Sequence, residues 1–422
     1  MKVYSEGNFL TKKLSRLYYH RITYPFKSRL YQRYKQKVLD SISGKGHLRI
    51  LFFVQALSMW KYESLCNRLK EDHRFDFVII PFILPWDSIE EQKRTEKNIT
   101  DYCKEKNFPY LIGYNIDKHE YIPAKELKAD IISYTQPYNS GFHPWLLEHF
   151  VKRCTFMYMS YGLPLDTPEL NNTLLHNVAW KIFFPNDNQK NIYLSNPITH
   201  GKNYLAVGNP FFDQLQSAQT INNLWKINNP SIKKIIWAPH HTIAPNDALP
   251  FSTFLEIADD MVKLAKKLNG KVQFVFKPHP YLFRRLCTQW GIKRTEEYYK
   301  KWGNMPNTNY ANGKYDDLFI SSDAMIHDCA GFTQDYLFTK KPVMFLSKPG
   351  HEKHLSPFAL NCFNQHYKGR GIKDIQEFIN NVVLNGIDPM SASREDFYNK
   401  NLLPPNGRSV ADNIYAELIK LL

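Results

Sequence analysis

Two histidine-bearing turns are the places where this chain could do chemistry. One is Lys277-Pro278-His279-Pro280, directly after the apolar run Val272-Gln273-Phe274-Val275-Phe276. The other is Ala238-Pro239-His240-His241-Thr242, at the end of the run Lys233–Trp237. A short β-branched and aromatic run that stops at proline reads as a buried strand ending at a sheet edge. Side chains just past the carboxyl end of a parallel strand lie where open α/β sheets bind ligands. If the two strands are neighbours, His240, His241 and His279 share that edge. An imidazole there can serve as a general base or donate to a phosphate, and Lys277 adds a cation. Three histidines can also hold a metal. No carboxylate or Cys stands at ligand spacing, however, so a metal-free site is expected.

A third stretch runs Ser322-Asp323-Ala324-Met325-Ile326-His327-Asp328-Cys329-Ala330-Gly331-Phe332-Thr333, preceded by Tyr315-Asp316-Asp317-Leu318. A strand over Ala324–Ile326 would lead through Asp328 into a helix from Phe332. Backbone N–H groups at such a helix start can hold a pyrophosphate, with Gly331 permitting close approach and Thr333 adding a hydroxyl. Near the end, Asn406-Gly407-Arg408-Ser409 precedes a final helix. Arg408 could grip a phosphate bidentately, or the turn could be a plain helix cap. Neither a G-x-G-x-x-G nor a G-x-x-x-x-G-K-[ST] pattern is present, so no dinucleotide or P-loop cofactor is indicated.

The elements that must position these residues follow from hydrophobic patterning. Strands are predicted over Ile50–Val54, Phe77–Ile80, Tyr110–Ile112, Asp130–Tyr134, Thr155–Met159 and Tyr204–Val207, then over Lys233–Trp237, Val272–Phe276, Ala324–Ile326 and Val343–Leu346. Helical spacing fills many of the gaps, as in Tyr62–Leu69, Phe251–Leu268, Tyr281–Trp302, Ile372–Val382 and Val410–Leu422. Strand–helix alternation argues for parallel sheets covered on both faces. An Asn-, Gln- and Pro-rich stretch from Gly208 to Ser231 separates two such series. The expected architecture is therefore α/β, with two Rossmann-like domains facing across a cleft: a basic segment over 1–45, a first domain over 46–215 and a second over 231–422.

Charge is uneven. The chain of 422 residues carries a net +15, and twelve Lys or Arg against two acids place ten of those charges in the first fifty residues. The body is nearly balanced, which disfavours a nucleic-acid groove. In the basic segment the cations alternate with Leu, Ile, Tyr and Phe, a mixture suited to an anionic membrane surface. The same residues would also suit a solvated helix packed on the main domain. No run nears the roughly 20 apolar residues needed to cross a bilayer, no signal peptide is visible, and six scattered cysteines show no ligand or disulfide spacing. A cytoplasmic protein, peripheral on the inner face of the cell membrane, is expected.

Taken in order, Ala-Pro-His-His, Lys-Pro-His-Pro, Tyr-Asp-Asp-Leu, Ser-Asp-Ala-Met-Ile-His-Asp and Asn-Gly-Arg-Ser resemble the CDP-glycerol glycerophosphotransferase family, the teichoic-acid primases and polymerases and their surface-polysaccharide relatives. Val207-Gly208-Asn209-Pro210-Phe211-Phe212-Asp213 looks like that family's Gly-x-Pro-x-x-Asp turn. The resemblance spans about Met157 to Ser409. It implies a GT-B architecture and metal-independent transfer of glycerol phosphate, or a related polyol phosphate, from a CDP-linked donor to a hydroxyl of a polysaccharide or lipid-linked acceptor. It implies that His279 stabilises the donor pyrophosphate and that residues around Asp328, Gly331 and Thr333 line the donor pocket. Two departures stand out. The family's His-Gly-Thr-Pro turn, whose His is implied as the base, is here Tyr161-Gly162-Leu163-Pro164. A phenol with a reference pKa of about 10 is a poor base at neutral pH, so His240 or His241 takes that role. The family's paired serines after the Asp are here Ala330 and Gly331. A sugar-nucleotide glycosyltransferase on the same scaffold and a catalytically silent binding homologue remain as alternatives.

Overall fold

The computed structural model describes residues 22–137, 143–160, 172–218, 223–244, 247, 252–329 and 331–422. The chain divides into two compact units. The first comprises Met1–Gly162, Thr167–Asp213 and Pro404–Leu422; the second comprises Leu163–Asp166 and Gln214–Leu403.

In the first unit, β1 (Leu48–Val54), β2 (Phe75–Pro81), β3 (Ile131–Tyr134), β4 (Thr155–Met159), β5 (Lys181–Phe184) and β6 (Tyr204–Ala206) form one parallel sheet in the order β2-β1-β3-β4-β5-β6. Strand side chains alternate between faces. Ile50, Phe52 and Val54 of β1 therefore enter one apolar cluster, while Leu51 and Phe53 enter another on the opposite face. Burial on both faces explains why the strands read as continuous hydrophobic runs. Tyr110 makes a single parallel bridge to Ile79 rather than a full strand, and β5 was not expected from sequence.

The longer described helices flanking this sheet include α1 (Tyr24–Ile42), α2 (Glu63–Lys70) and α3 (Ile89–Lys106). The helix Val410–Ile419 joins them, burying Val410, Ile414 and Leu418 in the same cluster as Leu65 and Leu69 of α2. The sequence pattern places residues up to 422 in the second domain. The last nineteen residues instead complete the first unit, because the apolar stripe of this helix fills the β1 face.

In the second unit, β7 (Lys233–Ala238), β8 (Val272–Phe276), β9 (Thr308–Tyr310), β10 (Ala324–His327), β11 (Val343–Leu346) and β12 (Tyr367–Gly369) are again parallel, in the order β9-β8-β7-β10-β11-β12. The order reverses between β7 and β10, which makes their carboxyl ends the topological switch point. Helices α4 (Phe254–Lys267), α5 (Leu282–Trp290) and α6 (Ile292–Asn304) follow β7 and β8. The single helix expected over 281–302 is broken at Gly291, whose φ of +84° ends one helix and starts the next. Trp237, Phe254, Phe276 and Trp302 form the aromatic centre of this unit's core.

Candidate active site

The prolines of the two turns do specific work. Alternate N–H groups of a parallel strand point to opposite neighbours. Beyond β8, the N–H groups of Lys277 and His279 donate to the Trp237 and Pro239 carbonyls at 2.8 and 2.9 Å. Pro278 and Pro280 occupy the intervening positions, where no N–H remains to continue pairing on the other side. The exit of β8 is thus tied to the exit of β7, and both histidine turns are held side by side at the carboxyl edge of one sheet.

His240, His241 and His279 converge there. Their ring centroids lie 4.3, 5.0 and 4.2 Å apart, and one nitrogen from each lies within 4.8 Å of the others. Burial, followed by the mutual repulsion of their cationic forms, lowers the pKa of His240 to about 3. His279 is lowered to about 3 by burial, then by His241 and Lys277. His241 is lowered by burial and by Arg285. All three imidazoles are therefore neutral at pH 7.

Hydrogen bonding then sets the tautomers. The Tyr281 N–H donates to His279 Nδ1 at 3.2 Å. His240 Nδ1 receives the Thr242 N–H at 3.4 Å and lies 2.9 Å from the Thr242 hydroxyl. An amide can only donate, so in both rings the proton sits on Nε2. Each ring presents a neutral N–H donor, which attracts an anion and opposes a cation. The trio has the spacing of a metal centre but the proton placement of an oxyanion site. His241 differs: its Nδ1 is buried without a hydrogen-bond partner among the described residues. Unlike the other two rings, it has no main-chain N–H held against its Nδ1 among the described residues.

Lys277 is only 4% exposed, and burial lowers its amine to about 8. Its Nζ lies 5.9 Å from the centre of the Tyr315 ring, and no carboxylate among the described residues offsets it. A buried ammonium without a counter-ion is costly unless an anion arrives. Tyr315 is held in turn by a 3.0 Å bond from its hydroxyl to Asp335.

The remaining predicted residues are placed differently. Asp328 follows β10 at the switch point but faces inward, 1% exposed. Its Oδ1 accepts the His240 N–H at 2.5 Å, and its Oδ2 accepts the Thr253 N–H and hydroxyl at 2.7 and 3.1 Å. Thr333 is also buried, its hydroxyl donating to the Cys329 carbonyl at 3.4 Å, so it supports the turn from beneath. A Cβ at Gly331 would make an ordinary contact with Cys329 Sγ, at 3.9 Å, and the helix that follows is a single turn, Phe332–Asp335. Tyr161 and Ala330 lie outside the described residues. Arg408 and Ser409 belong to the first unit, where Ser409 accepts the Asp412 N–H at 3.0 Å and caps the last helix; Arg408 is exposed beside it.

Sequence reasoning missed Thr242, Thr253 and Tyr281. A signal existed for two of them: each stands two residues after a histidine, the spacing at which a main-chain N–H returns to the preceding ring. Thr253 gave none, because its partner lies 75 residues away.

Residues 167–411, more than half of the chain, match the model of the CDP-glycerol:poly(glycerophosphate) glycerophosphotransferase family. The chain belongs to this family. All of the histidine site falls within the matched glycerophosphotransferase region. A curated relative is the minor teichoic acid biosynthesis protein GgaB of Bacillus subtilis (strain 168), 24% identical over 356 residues, which cover 79% of this chain. They cover 37% of GgaB, so the chain spans little over a third of that relative's length. Among solved structures, a variant of the wall teichoic acid polymerase TagF matches with a TM-score of 0.56 at 13% identity, covering 98% of this chain and 99% of that one. The UDP-GlcNAc 2-epimerase of Methanocaldococcus jannaschii matches with a TM-score of 0.55 at 14% identity, covering 88% and 99%. At these identities the likeness shows the fold, which is GT-B-like with two Rossmann-like domains.

Proposed function

We propose that this glycerophosphotransferase moves glycerol phosphate, or a related polyol phosphate, from a CDP-linked donor to a hydroxyl of a surface polysaccharide or lipid-linked acceptor. The observation that carries the reading is a site built for an oxyanion: two neutral imidazole N–H donors beside the uncompensated Lys277 ammonium, at the switch point of the second sheet. His240 and His279 donate to the diphosphate. Neutral His241 takes the proton of the acceptor hydroxyl as its oxygen attacks the phosphorus bearing glycerol. The bond from that phosphorus to the oxygen bridging to CMP breaks, and the electron pair leaves with CMP, opposite the Lys277 charge. Phosphoryl transfer asks for positioning and charge stabilisation more than covalent chemistry, and these groups supply both. A solved structure of the TagF variant soaked with CDPG supports a donor of this class.

Incubation with CDP-glycerol, UDP-sugars and GDP-sugars tests the reading. CMP release from the first alone is expected. A nucleoside diphosphate released from a sugar donor would replace the proposal with a glycosyltransferase.

The membrane assignment rests on α1. Ile22, Phe26 and Leu30 are 57%, 70% and 38% exposed and share one helical face with the exposed Arg29, Arg33 and Lys37. No described helix is long and apolar enough to cross a membrane. This face suits the inner, anionic leaflet, with apolar side chains entering the headgroup boundary and cations above them.

A further inference from the structure

The Asp of the third motif, by family resemblance a donor-pocket residue, is 1% exposed and turned away from any ligand. Its carboxylate oxygens accept inside the second unit, from the His240 N–H and from the N–H and hydroxyl of Thr253, with the Ser252 hydroxyl adding to them. A carboxylate facing a diphosphate would also repel it. The register of the sheet explains where it does act: His327 of β10 lies opposite Ala238 of β7, so Asp328 comes level with the turn that starts at Pro239. From there it spans two segments. One bond fixes the main chain of His240, and two more fix Thr253, the residue that opens the 14-residue helix α4. A negative charge at the start of that helix is favoured by its dipole.

We infer that Asp328 is a positioning residue, which sets the His240–His241 turn against His279 by bracing it to the start of α4, with Thr253 as its partner. The inference rests on the proposed role of the histidine trio. It extends the functional set to a residue that touches neither donor nor acceptor. Asn at this position is nearly isosteric but carries one acceptor oxygen and one NH2. Whichever way the amide turns, a donor confronts either the His240 N–H or the Thr253 N–H. The turn then shifts, by an amount small for the fold and large for phosphoryl transfer.

A double-mutant cycle on CMP release, read beside the imidazole NMR resonances, tests this. Asp328→Asn should lower kcat/KM roughly 10- to 100-fold while the circular dichroism spectrum is kept. Thr253→Val should lose several-fold, and Thr253→Ser, which keeps the hydroxyl, should restore most of it. In a His240→Ala/His241→Ala background, Asp328→Asn should cost nothing more, because residues acting through one another are not additive. The ring resonances of His240 and His241 should move in Asp328→Asn. A further loss that multiplies with the histidine loss, or unmoved resonances, overturns the inference. If the histidine changes cost nothing while the resonances still move, the bracing stands and the catalytic reading of the trio falls.

Discussion

Lys277 and Asp328 set the pH range of the proposed site. Burial brings the Lys277 amine down to about 8, so its positive form is lost above that pH. Burial brings the Asp328 carboxyl up to about 6, so below that pH it takes a proton and releases one of the N–H groups it braces. His240 and His279, lowered to about 3, are already neutral between these limits; His241, lowered from its ordinary value chiefly by burial, takes up its proton on the acid side and contributes to that limb. A plot of kcat/KM against pH should therefore be bell-shaped, with limbs near 6 and 8, and Lys277→Met should abolish the basic limb along with most activity. EDTA should leave the rate unchanged. Stability carries a separate signature. His143 is lowered to about 4, and His176, His240, His279 and His327 to about 3, all chiefly by burial, from an ordinary value of 6.5. Between those values the unfolded chain binds protons that the folded chain does not, so stability rises with pH through this window. Asp328 pulls the other way between 3.8 and about 6, as do Asp87, Glu96 and Asp213, whose carboxyls burial also raises; His241 and His366, lowered by burial, add to the histidine side. The midpoint of thermal unfolding should fall steadily as pH drops from 6.5.

Elements decided how much of this could be read in advance. The buried strands were legible because burial on both faces writes an unbroken apolar run, as in Leu48–Val54 and Val272–Phe276. Their exit turns were legible because proline marks where a ladder stops. Thr308–Tyr310 and Tyr367–Gly369 were not, being three-residue strands at sheet edges with polar members. The Gly-x-Pro-x-x-Asp turn and the Asn-Gly-Arg-Ser stretch meet in a clasp within the first unit. Asp213, at the end of the Gly-x-Pro-x-x-Asp turn, accepts the N–H groups of Val410 and Ala411 at 2.9 and 2.8 Å, just after Arg408 and Ser409. Gly208 sits at φ +101°, and a Cβ there would come within 2.8 Å of both Pro404 and Val410. No local pattern could announce a clasp between segments 197 residues apart. Gly208→Ala should cost about 2–4 kcal/mol by chemical denaturation, from overpacking added to a left-handed backbone. Asp213→Ala should cost on the order of 3 kcal/mol, through two lost charge-assisted bonds.

At the scale of the molecule, α1 has two duties. Ser28, Gln32, Lys35, Val38 and Ile42 face the first unit; Gln32 and Lys35 donate to the Asn177 and Ala179 carbonyls, and Asn177 donates to Ser28. Its opposite face carries Ile22, Phe26 and Leu30. Deleting the whole helix would harm the fold, so the membrane proposal is better tested by changing Phe26 and Leu30 to Ser. Binding to vesicles rich in anionic lipid should weaken at least about tenfold, with CMP release in detergent unaltered. Adding salt should weaken binding of the parent protein as well. Equal vesicle binding by parent and variant would refute the assignment. The basic, aromatic character of this segment was visible in sequence; which face meets the protein was not, because Tyr, Leu and cations occur on both.

The chain leaves its first unit after Asp213 and returns to it at Pro404. During synthesis the earlier half must therefore wait, with the β1 face uncovered, until the closing helix has cleared the ribosome. The intervening 190 residues are under no such constraint and can settle first. A premature stop just before Pro404 should accordingly yield a protein whose middle resists protease while its beginning is digested, an inversion of the usual order in which nascent chains mature.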